Sequence, residues 1–346
     1  MMLLFCACNR GADLELPPNS SGNGQPPETQ ISTHDCRIPL EQIHEGGPGV
    51  DGIPSIDLPD FTPIEQVTFL GDLESVLVLQ QAGTTKIYPH QILDYHEIVN
   101  DAIGEFRFST TYCPLTGTGM AWGRSLADGV TTFGVSGLLH NNNLMPYDRS
   151  TGSLWSQLRM DCVSGTWAGT AAEVFNLLET SFLTATQLFP EALVLNTNTG
   201  YNRAYGLYPY GDYRSNHESI FFPLDRPDNR LPNKQKVLLI DLGTAQKAVT
   251  FPEAAGPDLQ QTIIGGRSIL IYRNTEMPLI AAYEVAAGDN YTLSPVGTSY
   301  LFQDESGRQF DVFGQSADGS VMLPRPLQFL GYWFAIASTY PNVPIL

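Results

Sequence analysis

Residues that break helices recur along almost the whole chain. Its 346 residues include 32 glycines and 25 prolines, which divide the sequence into short apolar segments. Glycine permits tight turns, and proline cannot donate a hydrogen bond to the ladder of a sheet. Since long helical patterns are few and 42% of the residues are hydrophobic, the sequence predicts a globular, mainly β protein with short helices.

The chain is strongly acidic. Its 36 acidic residues outnumber its 18 basic residues, which gives a formal net charge of −18. Such a surface repels phosphate backbones, so we expect no nucleic-acid partner. The segment GTGMAWG at 117–123 has the wrong glycine spacing for a dinucleotide fingerprint, and we expect no nucleotide cofactor.

The N-terminal segment MMLLFCACNRG is apolar but too short to span a bilayer. Residues 1–8 are typical of a lipoprotein signal that is truncated and lacks its basic region, with Cys8 as the lipidated residue. Residues 9–30 are rich in serine, proline, glycine and asparagine, as in a disordered tether. We therefore predict an exported, periplasmic or cell-surface lipoprotein that contacts the membrane only through its lipid anchor. An ordinary N-terminus is the alternative.

Three segments of the first half recur in the same order in the second half. Residues 75–89 resemble residues 236–252, and both contain an aliphatic run, a glycine turn and a lysine. Residues 144–157 resemble residues 300–315 around an aspartate-centred turn, and LFPEALVL resembles STYPNVPIL. The shared order indicates an internal duplication, although β proteins also reuse the same turn chemistry.

A duplication predicts two related β-rich lobes. The first covers residues 31–190 and contains the reactive side chains, whereas the second covers residues 235–346 and is scaffold-like. A segment rich in tyrosine, proline and glycine connects them at 191–234. That segment is long for a structureless loop, so we expect it to pack as an ordered wrap with its tyrosines as anchors.

The most compact set of reactive side chains lies in the first lobe. His96 and Cys113 occur close together in the sequence, and His140 follows in the same lobe. Imidazole and thiolate are ligands that suit copper and zinc. The sequence therefore predicts a copper or zinc site, or a redox site, at His96, Cys113 and His140. The alternative is an inert buried thiol beside a hydrogen-bonded core histidine.

The same residues fit a cysteine-nucleophile enzyme. In this alternative Cys113 attacks the substrate and His96 or His140 accepts its proton. Asp101 or Asp148 then orients the histidine. The sequence contains none of the familiar hydrolase or phosphate-loop motifs, and it does not identify a reaction.

A non-catalytic module that binds a ligand or a protein partner at its surface is a third function. Aromatic residues that could line its cleft are concentrated at 201–213 and at Trp122, Trp155 and Trp167. The same tryptophans are also expected in a β core. Residue types alone therefore leave all three functions open.

Three polar or aromatic residues are further candidates for lining the site, namely Asn143, Asp148 and Trp155. An aspartate at the head of a turn usually caps backbone amides, and Asp304 repeats this position in the second lobe. Asp148 therefore also has a purely structural alternative.

The cysteines of the folded part allow one disulfide. In an oxidising compartment Cys36 and Cys162 can pair and leave Cys113 free. Three free thiols are the alternative, because sequence does not determine connectivity.

Several longer segments resemble a known family. They are GGPGVDGIPSIDLPDF, KIYPHQILDYHEIVND, TYCPLTGT, FGVSGLL, LMPYDRSTGSLWSQ, DNRLPNKQKVLLI and GYWFAIASTYP. From Ile31 to the C-terminus the chain resembles the domain of unknown function 3179, found in exported bacterial and archaeal proteins. The resemblance implies export and no particular activity. Where that pattern often has the second cysteine of a C-x-x-C pair, this chain has Thr116, which weakens a dithiol or paired-cysteine metal site and leaves His140 as a substitute ligand.

Overall fold

The computed structural model describes residues 36–295 and 299–346. The fold is mainly β with three short α-helices, which confirms the predicted fold class. The predicted signal at 1–8, its Cys8 and the predicted tether at 9–30 lie outside the described residues. Within the described residues, no helix has the length and apolar character that crossing a membrane requires.

The part of the chain before residue 196 supplies most of the strands. In chain order the elements are β1 Ile43–Glu45, β2 Phe61–Pro63, β3 Ser75–Gln81, β4 Thr84–Pro89, α1 His90–His96, β5 Ile98–Ile103, β6 Phe106–Cys113, β7 Thr118–Gly123, β8 Ser125–Leu126, β9 Gly129–Val130, β10 Phe133–His140, β11 Asn143–Asp148, β12 Leu154–Ser156, β13 Asp161–Ser164, β14 Val174–Phe175, β15 Leu178–Ser181, α2 Phe182–Leu188 and β16 Leu193–Leu195. Short 3-10 helices lie at Leu40–Gln42 and Ile64–Gln66.

Residues 196–235, which make up most of the predicted wrap, contain no helix or strand. The second half then continues with β17 Lys236–Asp241, β18 Gln246–Thr250, β19 Pro257–Ile264, β20 Arg267–Asn274, β21 Leu279–Glu284, β22 Tyr291–Leu293, β23 Phe302–Asp304, β24 Gln309–Phe310, β25 Leu327–Tyr332 and α3 Trp333–Thr339.

Strand β3 is buried on both faces. Val76 and Val78 pack in a cluster with residues of β20 and β21 from the second half. Leu77 and Leu79 pack in another cluster, with residues of β5, β6 and β7. Because successive side chains of a strand point to opposite faces, the continuous apolar run VLVL fits a strand that is covered on both sides.

Strand β17 has the corresponding arrangement. Val237 and Leu239 pack in a cluster with residues of β6, β7 and β10 from the first half. Leu238 and Ile240 pack with residues of β20 and β21. Strands β3 and β17 therefore each pack against strands of their own half on one face and against strands of the other half on the second face. The two halves share these hydrophobic clusters.

One sheet in each half shares part of its strand order with the other. In the first half β15, β3, β4 and β16 are neighbours, with β15 antiparallel to β3 and β16 parallel to β4. In the second half β25, β17 and β18 are neighbours, β25 is antiparallel to β17, and Ile345 forms a parallel bridge with Ala248 on β18. A three-stranded meander follows each hairpin, β5–β6–β7 and β19–β20–β21, and a short helix follows β15 and β25.

The three predicted sequence correspondences fall on strand pairs or connections of the same kind in the two halves. Residues 75–89 form the hairpin β3–β4, and residues 236–252 contain the hairpin β17–β18. Residues 144–157 contain the pair β11–β12, and residues 300–315 contain the pair β23–β24. LFPEALVL connects the short helix α2 to β16, and STYPNVPIL connects α3 to the Ile345 bridge.

Cys36 and Cys162 are free thiols in the structure. Cys162 on β13 packs in the cluster that contains Trp155, and its thiol donates to the Leu154 carbonyl at 3.3 Å. Cys36 packs in a different cluster, beside Val163, the next residue of β13. Since consecutive side chains of a strand point to opposite faces, the two cysteines lie on opposite sides of β13. The structure therefore differs from the predicted Cys36–Cys162 disulfide.

Candidate functional site

At the end of helix α1, the consecutive residues His96 and Glu97 contact different parts of the protein. The helix ends at His96, and Glu97 follows with φ 57° and ψ −33°. This region is sparsely populated by residues other than glycine, so the backbone of Glu97 is strained. Two hydrogen bonds hold it there: the Glu97 amide donates to the Leu93 carbonyl at 2.8 Å, and the Tyr112 amide donates to the Glu97 carbonyl at 2.7 Å.

His96 is fully buried, and both of its ring nitrogens have partners. Nδ1 lies 2.7 Å from the Pro54 carbonyl oxygen, and Nε2 lies 2.7 Å from the Tyr205 hydroxyl. Because a carbonyl only accepts, Nδ1 carries the proton and Nε2 accepts from Tyr205. Burial lowers the pKa of His96 to about 4, so the imidazole is neutral at pH 7. His96 is thus a hydrogen-bonded core histidine that connects the segment between β1 and β2 to the wrap.

Cys113 is buried at the end of β6. Its thiol lies 3.6 Å from the Asn142 carbonyl oxygen. Burial, followed by the nearby Glu97 carboxyl, raises its pKa to about 11. The thiol is therefore protonated at pH 7, whereas the thiolate is the nucleophile. The acidic neighbour that acts on Cys113 is Glu97, and His96 has both nitrogens occupied elsewhere.

Cys113 is expected to resist alkylation at neutral pH. A thiol with a pKa of about 11 has about a hundredfold less thiolate than one at 9.0, and burial slows its reaction further. Iodoacetamide labelling followed by peptide mass spectrometry measures the rates at Cys113 and at the partly exposed Cys36 in the same sample. We expect Cys113 to react only after denaturant is added. Equal rates in the folded protein would restore the cysteine-nucleophile enzyme.

A cavity of about 500 Å³ lies beside Glu97. Small-molecule sites in proteins usually occupy about 300–1,000 Å³, so its volume suits an organic ligand. The walls come from the segment between β1 and β2, the loop after Cys113, the β10–β11 hairpin and the wrap. They include Ile53, Leu115, Leu139, Leu144, Tyr210 and Phe222.

Glu97 is the one acidic or basic residue among the described residues that line this cavity. Its side chain is 5% exposed and makes no hydrogen bond within the described part of the chain. Burial, with a smaller effect from Asp94, raises its pKa to about 8. An apolar cavity with a single buried polar group that faces it is a typical binding-site arrangement.

A family model described as a protein of unknown function, DUF3179, matches residues 50–343. The chain belongs to the DUF3179 family. This match confirms the resemblance predicted from the sequence. No curated protein and no solved structure matches the chain. Because the family description names no activity, the function of this DUF3179 protein has to be inferred from its own side chains.

In this DUF3179 protein His140, the third predicted metal ligand, lies in a different environment from His96 and Cys113. His140 lies at the end of β10, where Nε2 is 2.8 Å from a carboxylate oxygen of Asp225 in the wrap. Among residues 36–295 and 299–346, no three histidine, cysteine, aspartate or glutamate side chains form a group that could hold a metal. The structure therefore does not bring His96, Cys113 and His140 together as one ligand set. The copper or zinc site stays a prediction from the sequence, which elemental analysis of the purified protein would test.

Asn143 belongs to a buried hydrogen-bond network beneath the loop that follows Cys113. Its Nδ2 donates to the Thr116 hydroxyl at 2.9 Å and to the Gln157 amide oxygen at 2.7 Å. Gln157 in turn donates to the Thr111 hydroxyl at 2.9 Å. The network fixes the loop, and Leu115 of that loop lines the cavity.

Asp148 and Trp155 have structural partners. One Asp148 oxygen accepts from the Thr151 amide at 2.8 Å, and the other accepts from the Trp155 indole at 3.0 Å. Asp304 caps its own turn in the same way. Trp155 also packs against Phe133 and borders a separate cavity of about 160 Å³. Neither Asp148 nor Trp155 lines the cavity beside Glu97.

The sequence patterns did not indicate Glu97, the acidic residue that lines the cavity. The available signal was a lone carboxylate between the end of a short helix and the apolar pair Ile98–Val99. Tyr210 was expected only as one anchor of the wrap, and no local pattern indicated that it would lie opposite the end of α1.

Proposed function

We propose that this DUF3179 protein is an exported, lipid-anchored binding protein that takes a small, largely apolar molecule in the cavity beside Glu97. The observation that supports this function is the cavity itself, about 500 Å³ in volume, with apolar and aromatic walls and one unpartnered carboxyl group. Burial of apolar ligand surface would provide most of the affinity, and Glu97 would orient the ligand.

Binding is favoured over catalysis by Cys113 because the thiol has no base beside it. Both nitrogens of His96 are hydrogen-bonded to other groups, and Glu97 raises the pKa of the thiol instead of lowering it. An activated cysteine requires the opposite environment, which stabilises the thiolate. Asp101 does not orient a base either, because its carboxylate pairs with Lys86.

A cavity-filling variant tests the proposal. Leu139→Trp places a large ring in the cavity, and we expect it to weaken binding of a neutral aromatic dye, N-phenyl-1-naphthylamine, at least about tenfold. Fluorescence titration gives the affinity, and circular dichroism reports the fold. Leu73→Trp is the matched control, since Leu73 is 88% exposed and does not line the cavity.

Leu144 on β11 is the cross-strand partner of Leu139 and also lines the cavity. Leu144→Phe therefore provides a second cavity-filling variant if Leu139→Trp unfolds. The wild type and the Leu73→Trp control should bind one dye per chain and show saturation. Failure of the wild type to show saturable binding would contradict the proposed function. So would unchanged affinity in both folded cavity-filling variants.

Export and lipid anchoring are supported by the sequence of residues 1–30. If Cys8 is the lipidated residue, the Cys8→Ser variant leaves the membrane fraction when cells are fractionated. Persistence of that variant in the membrane fraction would contradict the anchor while leaving the cavity proposal intact.

We also propose that the two halves descend from one duplicated unit. The partly shared strand order, the positions of the three sequence correspondences and the matching double-sided strands β3 and β17 support it. Residues 235–346 contain no cysteine or histidine, so the second half would have become scaffold. A superposition that aligns β3 with β17 should also align β16 with the C-terminal residues. A different best pairing would contradict duplication.

A further inference from the structure

We infer that the ligand of this cavity carries a protonated amine, which pairs with Glu97, on an otherwise apolar or aromatic body. The inference rests on the proposed binding function and adds the chemical class of the ligand. Three features of the site support it: the unpartnered carboxyl, the aromatic side chains of the wrap, and a described cavity lining without lysine or arginine.

The carboxyl of Glu97 lacks a hydrogen-bond partner among the described residues. It is 5% exposed and has no side-chain hydrogen bond within the described residues, although it lines a cavity with room for a ligand. A buried polar group without a partner costs free energy, and an ionised one costs more. An ammonium group in the cavity would supply both the donors and the opposite charge.

Aromatic rings surround the remaining space. Tyr210, Phe221 and Phe222 of the wrap all line the cavity, and the face of an aromatic ring attracts a cation. An apolar amine would thus find rings for its body and for its charge. A carboxylate ligand would bring a buried negative charge that no lysine or arginine of the described cavity lining could pair with, so it is disfavoured.

Two cations that act on the neighbouring Asp94 are paired with other groups. Arg214 forms hydrogen bonds to both oxygens of Asp94, at 2.5 Å and 2.7 Å, and its guanidinium lies 4.0 Å from the centre of the Tyr208 ring. Lys236 pairs with Glu179. No lysine or arginine occurs among the described residues that line the cavity, so Glu97 has no internal counter-ion there.

The amine should bind better as the pH rises toward 8. Burial keeps Glu97 protonated up to about that pH, so an ammonium ligand displaces its proton, and affinity rises by up to about tenfold per pH unit below it. Asp94 on α1, Cys113 on β6 and Tyr210 in the wrap are the other titratable groups around Glu97. Above about pH 10 the amine itself loses its charge, and the advantage disappears.

A matched pair of probes tests the inference on the full chain. Calorimetric titration at pH 8 compares 4-phenylbutylamine with 4-phenylbutanol, which have the same apolar body and differ in the charged group. We expect the amine to bind at least about tenfold more tightly than the alcohol. In Glu97→Gln the amine should lose this advantage while the alcohol keeps its affinity. Glu105→Gln is the control, because Glu105 is exposed and lies outside the cavity.

The outcomes separate the inference from the function on which it rests. If the alcohol binds and the amine binds no more tightly, the amine assignment is wrong and the cavity remains a binding site. The same conclusion follows if the preference for the amine survives in Glu97→Gln. If neither probe binds the wild type, the proposed function fails and the amine assignment fails with it.

Discussion

Glu97→Gln is expected to stabilise the folded protein, by an amount that grows as the pH rises from about 5 to about 8. In the folded state burial raises the pKa of Glu97 from 4.5 to about 8. Between these values the unfolded chain has released this proton and the folded chain still holds it, so the stability of the wild type falls with rising pH. Glutamine does not titrate, and the variant escapes this loss, which is on the order of 4 kcal/mol at pH 8.

Urea unfolding at pH 5, 6.5 and 8 measures this difference in the free energy of unfolding. His96 titrates in the opposite sense: its folded pKa of about 4 lies below 6.5, so its contribution to stability grows as the pH rises between these values. Both proteins contain His96, so its contribution cancels in the difference. The exposed residue Glu105 provides the control, since Glu105→Gln should show no pH-dependent change. Parallel curves for wild type and Glu97→Gln would contradict the buried, unpartnered carboxyl.

Glu97 lines the cavity and is expected to lower the stability of the folded protein, and such a residue is informative about function. Glu97 combines a strained backbone with a buried carboxyl that has no protein partner among the described residues. A sequence selected only for stability would have an apolar residue or glycine at this position. The proposed ligand would offset this local cost by pairing with the carboxyl.

The sequence was sufficient for the fold class and for the central strands. The runs VLVL and VLLI at the starts of β3 and β17 have no polar side, and the structure covers both faces of each strand. Turn residues also mark the ends of the hairpins, because glycine and proline act locally. The sharing of clusters between halves was not predictable, since it depends on contacts between residues far apart in the chain.

The predicted site residue His96 directly precedes Glu97, the residue that lines the cavity. The sequence indicated His96 beside Cys113, whereas the structure places Glu97 there. The backbone after α1 determines this difference: Glu97 has a positive φ, which sequence patterns lead one to expect at glycine or asparagine. The partner of His96 is equally non-local, because Tyr205 lies in the wrap, 109 residues further along the chain.

Lys86→Met is expected to cause the other large change in stability. Lys86 on β4 and Asp101 on β5 form a buried ion pair in which Nζ lies 2.8 Å from each carboxylate oxygen. Tyr88 also donates to Asp101, at 2.7 Å. Methionine keeps the length and the apolar stem of lysine but leaves the Asp101 carboxylate without its cation. Removing one partner of a buried pair costs about 3–5 kcal/mol.

The hairpin of the second half offers a matched control for this variant. Lys86 is paired in register with Leu79, and Lys247 on β18 is paired in the same way with Ile240. Lys247 has no ion pair within the described residues, and it is only partly buried. Lys247→Met should therefore change the free energy of unfolding by less than about 1 kcal/mol.

The double variant Lys86→Met/Asp101→Asn distinguishes a lost attraction from an unpaired charge. If the cost of Lys86→Met comes from the carboxylate that remains buried, neutralising Asp101 should restore much of the lost stability, since the amide can still accept from Tyr88. Urea unfolding at neutral pH measures all four proteins under the same conditions. A double variant no more stable than Lys86→Met would show that lysine acts through packing, including its position 4.1 Å from the centre of the Phe61 ring. Equal losses for Lys86→Met and Lys247→Met would contradict the ion pair as the source of stability, because only Lys86 has that partner.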